Sequence, residues 1–256
     1  MLIIPDCARI DQSLKLARDF ALGFEYNDFY TNLDDGAAIE EMISLYRRNT
    51  PPCKSTLHGA FYDIVIGSMD EQIRAVSRQR IEQSVEICKR LGTRAVVFHT
   101  NTIANFRSRA YDELWLTENA AYYSGVLRDN PMIDLYIENM FDQTPDLLKR
   151  LAERLSGYQN FGVCLDFAHA CLSQTGIAVW VETLARYIKH IHLNDCDGLE
   201  DSHLALGKGA LDIPGFFALL EQYRVAGSIL LEVKGVENQR ISLDYLRAHG
   251  LMRDSH

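Results

Sequence analysis

The chain has 256 residues, which is enough to bury a full hydrophobic core within one domain. Its 24% charged and 47% hydrophobic residues are typical of a globular protein, and no apolar run approaches the roughly 20 residues of a membrane span. The formal net charge of −9 disfavours broad contact with nucleic acid or an anionic membrane, although a local basic groove is compatible with an acidic average.

The beginning of the chain and its cysteines predict a cytoplasmic location. The segment MLIIPDCARID has no basic region, and its apolar stretch is too short for a signal peptide. The six cysteines form no CxxC pair and no regular framework, so we expect free thiols in a reducing compartment.

Strand and helix patterns alternate along the whole chain. The predicted strands are, in order, LIIP, GFEYNDF, STLH, RAVVFH, IDLYIE, FGVCLD, KHIHLND and SILLE. The predicted helices cover 11–22, 36–48, 70–91, a segment ending near 128, 144–156, 176–187, 213–222 and 237–248. Strands separated by helices indicate parallel βαβ units. Eight such units, without a linker and without GxGxxG after the first strand, predict an α/β fold with a single (β/α)8 TIM barrel over 1–256.

Six of the predicted strands carry an acidic or metal-binding residue at or near their carboxyl end, namely His58, His99, Glu138, Asp166, His192 and Glu232. A barrel gathers these strand ends on one face, so the six side chains are predicted to meet in one pocket. Alternation along the strands supports this prediction. In IDLYIE, Glu138 shares its face with Tyr136, whereas Leu135 and Ile137 point the other way and would pack on the outer helices.

Four of these residues form a candidate metal centre. Three carboxylates and one imidazole suit a divalent cation such as Mn, Mg, Zn or Co. Without a cation the buried acids would repel one another. Any one of them alone could instead cap a helix or pair with a surface lysine, but four at successive strand ends favour the metal site: Glu138, Asp166, His192 and Glu232.

Other residues on the expected active face are weaker candidates. His190 shares a face with His192 but lies one layer deeper, which predicts either a structural role or a contact that supports a metal ligand. In the segment LGKGALD, Gly207 and Gly209 flank Lys208, so the loop could offer amides and a cation to a substrate anion or could be an ordinary turn. Candidates for additional metal ligands are His58, His99, His169, Asp201 and His203, although a lone histidine at a strand end could equally be a hydrogen-bonded core residue.

The pattern resembles the superfamily that joins endonuclease IV with xylose-isomerase-like sugar isomerases and epimerases. The resemblance covers nearly the whole chain and is strongest from His58 to Glu232. Endonuclease IV implies nine ligands for three zinc ions, and all nine positions carry the right residue type: His58, His99, Glu138, Asp166, His169, His192, Asp201, His203 and Glu232.

The sequence departs from both branches in places. The nuclease has DTCH and DRH where this chain has DFAH from Asp166 and DSH from Asp201, and the strand-two loop NDFYTNLDDG is acidic where DNA phosphates should bind. Phe61 and Tyr62 could wedge between bases or line a pocket. Ketose 3-epimerases carry a Glu and an Arg at the positions of Thr144 and Gly198.

The sugar-active branch implies one metal held by the Glu, Asp, His, Glu set. In that branch Glu138 and Glu232 also move protons on opposite faces of the substrate, while His169, and by extension His99 and Lys208, would contact it. The leading hypothesis is therefore a metal-dependent sugar or sugar-phosphate isomerase or epimerase, with one ion expected and up to three implied by the nuclease pattern. The alternatives are a zinc phosphodiesterase acting on abasic DNA and a metal-binding barrel without turnover; a homo-oligomer is plausible for such barrels.

Overall fold

The computed structural model describes residues 1–252 except residues 32, 52 and 104. Residues 253–256 of the predicted domain lie outside the described part of the chain. Among the described helices, none combines the length and the apolar character needed to cross a bilayer.

Eight parallel strands close into a barrel, and this confirms the predicted TIM barrel. Each strand pairs with its neighbours in chain order, and the first strand pairs with the last to close the ring. The strands are Leu2–Ile3 (β1), Gly23–Tyr26 (β2), Thr56–His58 (β3), Ala95–His99 (β4), Asp134–Glu138 (β5), Phe161–Asp166 (β6), Ile188–Leu193 (β7) and Ser228–Leu231 (β8).

The helices between the strands follow the predicted order. A short 3-10 helix at Cys7–Arg9 precedes the first of them. The α-helices are Ile10–Phe20 (α1), Gly36–Arg48 (α2), Glu71–Leu91 (α3), Arg109–Asp129 (α4), Asp146–Leu155 (α5), Phe167–Leu172 (α6), Gly176–Leu184 (α7), Ile213–Gln222 (α8) and Val236–Ala248 (α9).

Local chemistry explains where these helices begin and end. Helix α3 begins after Asp70, whose carboxylate accepts the N–H groups of Gln72 and Ile73, and ends at Gly92 with a φ of 73°. Helix α6 was not predicted, because its six residues are too few for helical periodicity to emerge. It begins directly after β6, where the side chain of Asp166 caps it.

The two faces of the barrel strands have different neighbours. Leu135 and Ile137 belong to the main core between strands and helices, as alternation predicted. Inside the barrel, a separate buried cluster contains Ala95, Val97, Tyr136 and Cys164. On the inward face of β5 and β6, this small buried cluster therefore lies directly below Glu138 and Asp166 at the strand ends.

Candidate metal centre

The carboxyl ends of the strands surround a cavity of about 770 Å³. Its wall includes seven of the nine residues singled out in the sequence: His58, His99, Glu138, His169, Asp201, His203 and Glu232. The other two, Asp166 and His192, are fully buried behind that wall. The barrel thus brings all nine residues to one end, as the strand-end pattern predicted.

Four side chains form the centre of this group. One ligand atom from each of Glu138, Asp166, His192 and Glu232 lies within 4.8 Å of the others. His192 Nδ1 is 3.2 Å from Glu138 Oε2 and 3.3 Å from Glu232 Oε2. Among the described residues, these atoms and Asp166 Oδ2 are buried without a hydrogen-bond partner.

Buried polar atoms without partners are costly, so a cluster of four needs an explanation. Three carboxylate oxygens and one imidazole nitrogen are suitable ligands for Mn, Zn, Mg or Co, and a cation between them would satisfy all four. The donor set therefore fits a divalent metal. We call Glu138, Asp166, His192 and Glu232 the central cluster.

Asp166 and His169 are positioned by one helix cap. Asp166 ends β6 and accepts the backbone N–H of His169 at 2.6 Å, which starts α6. The same turn brings His169 Nδ1 to within 3.5 Å of Asp166 Oδ1 and 3.7 Å of Glu138 Oε1. The spacing of three residues between these two candidate ligands is thus a consequence of the capping geometry.

Asn139 joins the ends of β5 and β6, and the sequence did not single it out. Its Oδ1 accepts the N–H of Asp166 at 2.9 Å, and its Nδ2 donates to the carbonyl of Asp166 at 3.1 Å. Its own carbonyl lies 2.8 Å from His169 Nδ1. A polar residue directly after Glu138 was a detectable sign, because a buried strand end needs partners for its backbone.

Two further histidines contact the same oxygen of Glu138 as His192 does. His58 Nε2 and His99 Nε2 are each 3.5 Å from Glu138 Oε2, and their rings meet edge to face. Burial lowers the pKa of His99; burial also opposes protonation of His58, but Glu138 and Glu25 together raise the pKa of His58. Both residues could thus ligate an ion that shares Glu138 with the central cluster.

Asp201 and His203 form the outer edge of the site. Asp201 Oδ2 lies 3.2 Å from His169 Nε2 and 2.9 Å from His203 Nε2. His203 has a φ of 47°, in the left-handed region that is uncommon for residues other than glycine, and its Nδ1 lies 2.9 Å from the Glu232 carbonyl. Burial lowers the pKa of His203, but Asp201 and Glu232 together raise it to about 9.

The central carboxylates differ in their electrostatics. Burial and the repulsion of Glu232 and Glu138 raise the pKa of Asp166 to about 7, although the neighbouring His169 lowers it. Burial also opposes ionisation of Glu138 and Glu232, but His192 holds the pKa of each below its usual value. Carboxylates and imidazoles are therefore in direct electrostatic contact here, and both are suitable ligands for a divalent cation.

Glu25 is a second residue that the sequence analysis missed. It lies on β2, has no exposed surface, and contacts His190 and His192 at 3.0 Å each. Burial raises its pKa, but the two imidazoles bring it well below the usual value. The sign was present in GFEY, where an acid alternates with two aromatic residues and must face the barrel interior.

The structure places Lys208 outside the cavity wall. It lines a smaller neighbouring cavity with His203 and Lys234. The amides of Gly207 and Gly209 both donate to Asp195 Oδ2, at 2.9 and 2.8 Å, so they hold the loop together rather than facing the central cluster. This arrangement corresponds to the turn alternative rather than to an open anion cradle.

Aromatic and charged residues form the mouth of the cavity. Phe61 packs edge to face on His58 with ring centres 4.9 Å apart, and Tyr30 lies 4.6 Å from Phe61. Besides its histidines, the described wall includes one arginine, Arg9, and one lysine, Lys234, and Arg9 is paired with Asp6 at 2.8 Å. The mouth is thus aromatic and mixed in charge, without a basic groove in its described part.

Comparison with known proteins agrees with this architecture. A Halorhodospira halophila protein named probable endonuclease 4 is 27% identical over 214 residues, covering 73% of this chain and 71% of that protein. The structure of the TTHB071 protein from Thermus thermophilus, soaked with ZnCl2, has a TM-score of 0.77 at 25% identity, covering 98% of both chains. A D-tagatose 3-epimerase-like protein has a TM-score of 0.76 at 22% identity, covering 97% of this chain and 96% of that one.

A family model described as xylose isomerase-like TIM barrel matches residues 16–249. This match confirms the resemblance inferred from the strand-end residues. The chain belongs to the xylose isomerase-like TIM barrel family.

Proposed function

We propose that the protein is a divalent-metal-dependent isomerase or epimerase of sugars or sugar phosphates, in which Glu138 and Glu232 transfer protons. The observation that carries this proposal is the central cluster, in which four buried ligand atoms converge without other partners. Solved structures of sugar epimerases with the same fold support the substrate class.

The metal would be held by Glu138, Asp166, His192 and Glu232. When bound, a divalent ion would polarise a substrate carbonyl and the neighbouring hydroxyl, which would acidify the C–H of the hydroxyl-bearing carbon next to the carbonyl. As ligands of a cation, Glu138 and Glu232 would both be ionised, so each can accept a proton and return it to another carbon or face. The side chain of Glu232 is 12% exposed and that of Glu138 1%, so Glu232 has more direct access to a molecule in the cavity.

The walls around the cluster suit a polyhydroxylated substrate. His169 lies beside both Asp166 and Asp201 and faces the cavity, so its imidazole can position a hydroxyl group. The ring of Phe61 can pack against the apolar face of a sugar, while Asp28 in the same wall can accept hydroxyl protons. His99 is a further candidate for substrate contact at the inner edge, and Lys208 could reach a substrate only from the neighbouring cavity.

Solvent hydrogen exchange tests the proposal directly. Manganese- or cobalt-loaded protein is incubated in D2O with a panel of ketoses, aldoses and their phosphates, and deuterium incorporation is measured by mass spectrometry. We expect exchange into at least one substrate, and its loss in Glu138→Gln and Glu232→Gln. Glu182→Gln, on the outer helix α7, is the matched control and should keep the exchange. Absence of exchange across the panel would contradict the proposal.

A zinc phosphodiesterase acting on abasic DNA is the second candidate. It is favoured by the position of His58, His99, Asp201 and His203 around the central cluster, since these could hold further ions. Metal analysis separates the two functions: one ion per chain supports sugar chemistry, whereas three zinc ions support the nuclease. Nicking of an abasic duplex that is lost in both Glu232→Gln and His203→Gln would replace the sugar proposal. If the protein binds metal but shows neither activity, the remaining hypothesis is a metal-binding barrel that has no catalytic activity.

A further inference from the structure

A fully buried carboxylate lies one layer below the central cluster, inside the barrel. Glu25 Oε2 accepts the hydroxyl of Thr56 at 2.6 Å and lies 3.0 Å from His190 Nε2. Its other oxygen, Oε1, lies 3.0 Å from His192 Nε2. Strands β2, β3 and β7 thus bring three potential donors to one acceptor that is itself inaccessible to any substrate.

The contacts of His190 show how this carboxylate determines which ring nitrogen of an imidazole carries the proton. Its Nδ1 lies 2.6 Å from the hydroxyl of Ser228, and its Nε2 faces Glu25. A carboxylate only accepts, so Nε2 must carry the proton, and Nδ1 can then accept from Ser228. Ligand atoms of Cys164, His190 and His192 also lie within 4.8 Å of one another, but both nitrogens of His190 are already engaged. This inner group is therefore a hydrogen-bonding network rather than a second metal site.

The same reasoning applies to His192, which contacts both Glu25 and the central cluster. Its Nε2 faces Glu25, and its Nδ1, on the other edge of the ring, faces Glu138 and Glu232. The Nε2–H direction is not aligned with Oε1, so the 3.0 Å contact is close enough for an ion pair and becomes a hydrogen bond only if the ring rotates. A metal ligand needs a nitrogen lone pair, and a proton fixed on Nε2 leaves that lone pair on Nδ1.

We propose that Glu25 is a positioning residue that keeps a proton on His192 Nε2 and thereby presents His192 Nδ1 to the divalent ion. This inference rests on the metal centre of the proposed function. Glu25 acts through His192 and contacts neither substrate nor metal. The hydroxyl of Thr56 and the ring of His190 hold the carboxylate in place for this task.

The coordinating nitrogen can be identified in the wild-type protein without any variant of Glu25. Protein labelled with ¹⁵N-histidine is loaded with ¹¹³Cd or zinc, and the His192 signals are assigned by their loss in His192→Gln. We expect metal coupling at Nδ1 and a slowly exchanging, downfield proton on Nε2. Coordination through Nε2, or a bare Nε2, would overturn the proposal.

Metal affinity provides the second measurement. Glu25→Gln should raise the dissociation constant for zinc or manganese by about 10–100-fold, because outer partners of metal-binding histidines typically contribute that much. Ser228→Ala is the matched control: it removes a partner of His190 and leaves the His192 contact intact, so the dissociation constant should not change. An unchanged constant in Glu25→Gln, or an equal loss in Ser228→Ala, would refute the role of Glu25. A wild-type protein that binds no divalent metal would overturn the metal centre itself, together with this role.

Discussion

Replacing Asp166 by asparagine should stabilise the metal-free protein while abolishing metal binding. Asp166 is fully buried among other acids, and burial with their repulsion raises its pKa to about 7. Asparagine has the same shape, and its oxygen can still accept the N–H of His169 that starts α6. Its amide group would replace Oδ2, the oxygen that lacks a partner beside the other carboxylates.

The size of the effect follows from the difference between the folded and unfolded pKa values. An unfolded aspartate ionises near pH 3.8, whereas folded Asp166 keeps its proton until about pH 7. Between these values the folded state binds more protons, so the free energy of unfolding falls as pH rises. At 1.36 kcal/mol per pKa unit, the loss reaches at most about 4 kcal/mol by neutral pH. The asparagine side chain cannot ionise, so the variant should escape this loss at pH 8.

Urea unfolding of chelator-treated protein at pH 5 and pH 8 provides the measurement. The variant should gain stability over the wild type at pH 8 by up to about 4 kcal/mol and much less at pH 5. Addition of manganese or zinc at 100 times the dissociation constant should stabilise the wild type by about 2.7 kcal/mol and leave the variant unchanged. If the variant is no more stable than the wild type at pH 8, the ionised Asp166 carboxylate does not lower the free energy of unfolding of the metal-free protein, and the reasoning is refuted.

Two further predictions concern the same end of the barrel. Metal affinity should rise between pH 5 and pH 9, because a metal must displace the proton of Asp166, whose pKa is about 7. A metal bound at His203, whose pKa is about 9, would have to displace a proton there as well. Calorimetry in buffers of different ionisation enthalpy should detect the released protons, and a pH-independent affinity would contradict this prediction. Asp195→Ala should lower the free energy of unfolding by about 3 kcal/mol or more, because four backbone N–H groups of the loop after β7 donate to this buried carboxylate. Asp212→Ala, which removes only the exposed cap of α8, should cost about 1 kcal/mol in the same denaturation assay.

The sequence was sufficient to predict the barrel and the central cluster. Each site strand has an acid or a histidine at or next to its last residue, so periodicity predicts both the strand and the face on which that residue lies. In β5, for example, Ile137 lies in the outer core and Glu138 faces the cavity, as alternation requires. Because the register of a closed barrel fixes which strand ends meet, the convergence of these residues followed from their positions in the chain.

Residues that act through contacts with other strands could not be assigned in the same way. Glu25 lies in the middle of a four-residue strand, and its importance depends on His190 and His192, which are more than 160 positions away. Lys208 is the reverse case, since it was proposed as a candidate because its flanking glycines suggested an anion site. The sequence could not show that a single buried acid, Asp195, already binds their amides.

The two proposed functions share the central cluster, so the surroundings of the cavity must distinguish them. A DNA backbone brings a line of phosphates, and a nuclease mouth would need several unpaired cations to bind it. The described wall offers Lys234 and an Arg9 that already pairs with Asp6, and it adds Asp28 and Asp201. A compact polyol needs no such counter-charge, and it can use these carboxylates as hydrogen-bond acceptors and the aromatic ring of Phe61 as an apolar surface. The charges of the described wall therefore support the proposed sugar substrate over a nucleic acid, although the ligand types around Glu138 would serve either chemistry.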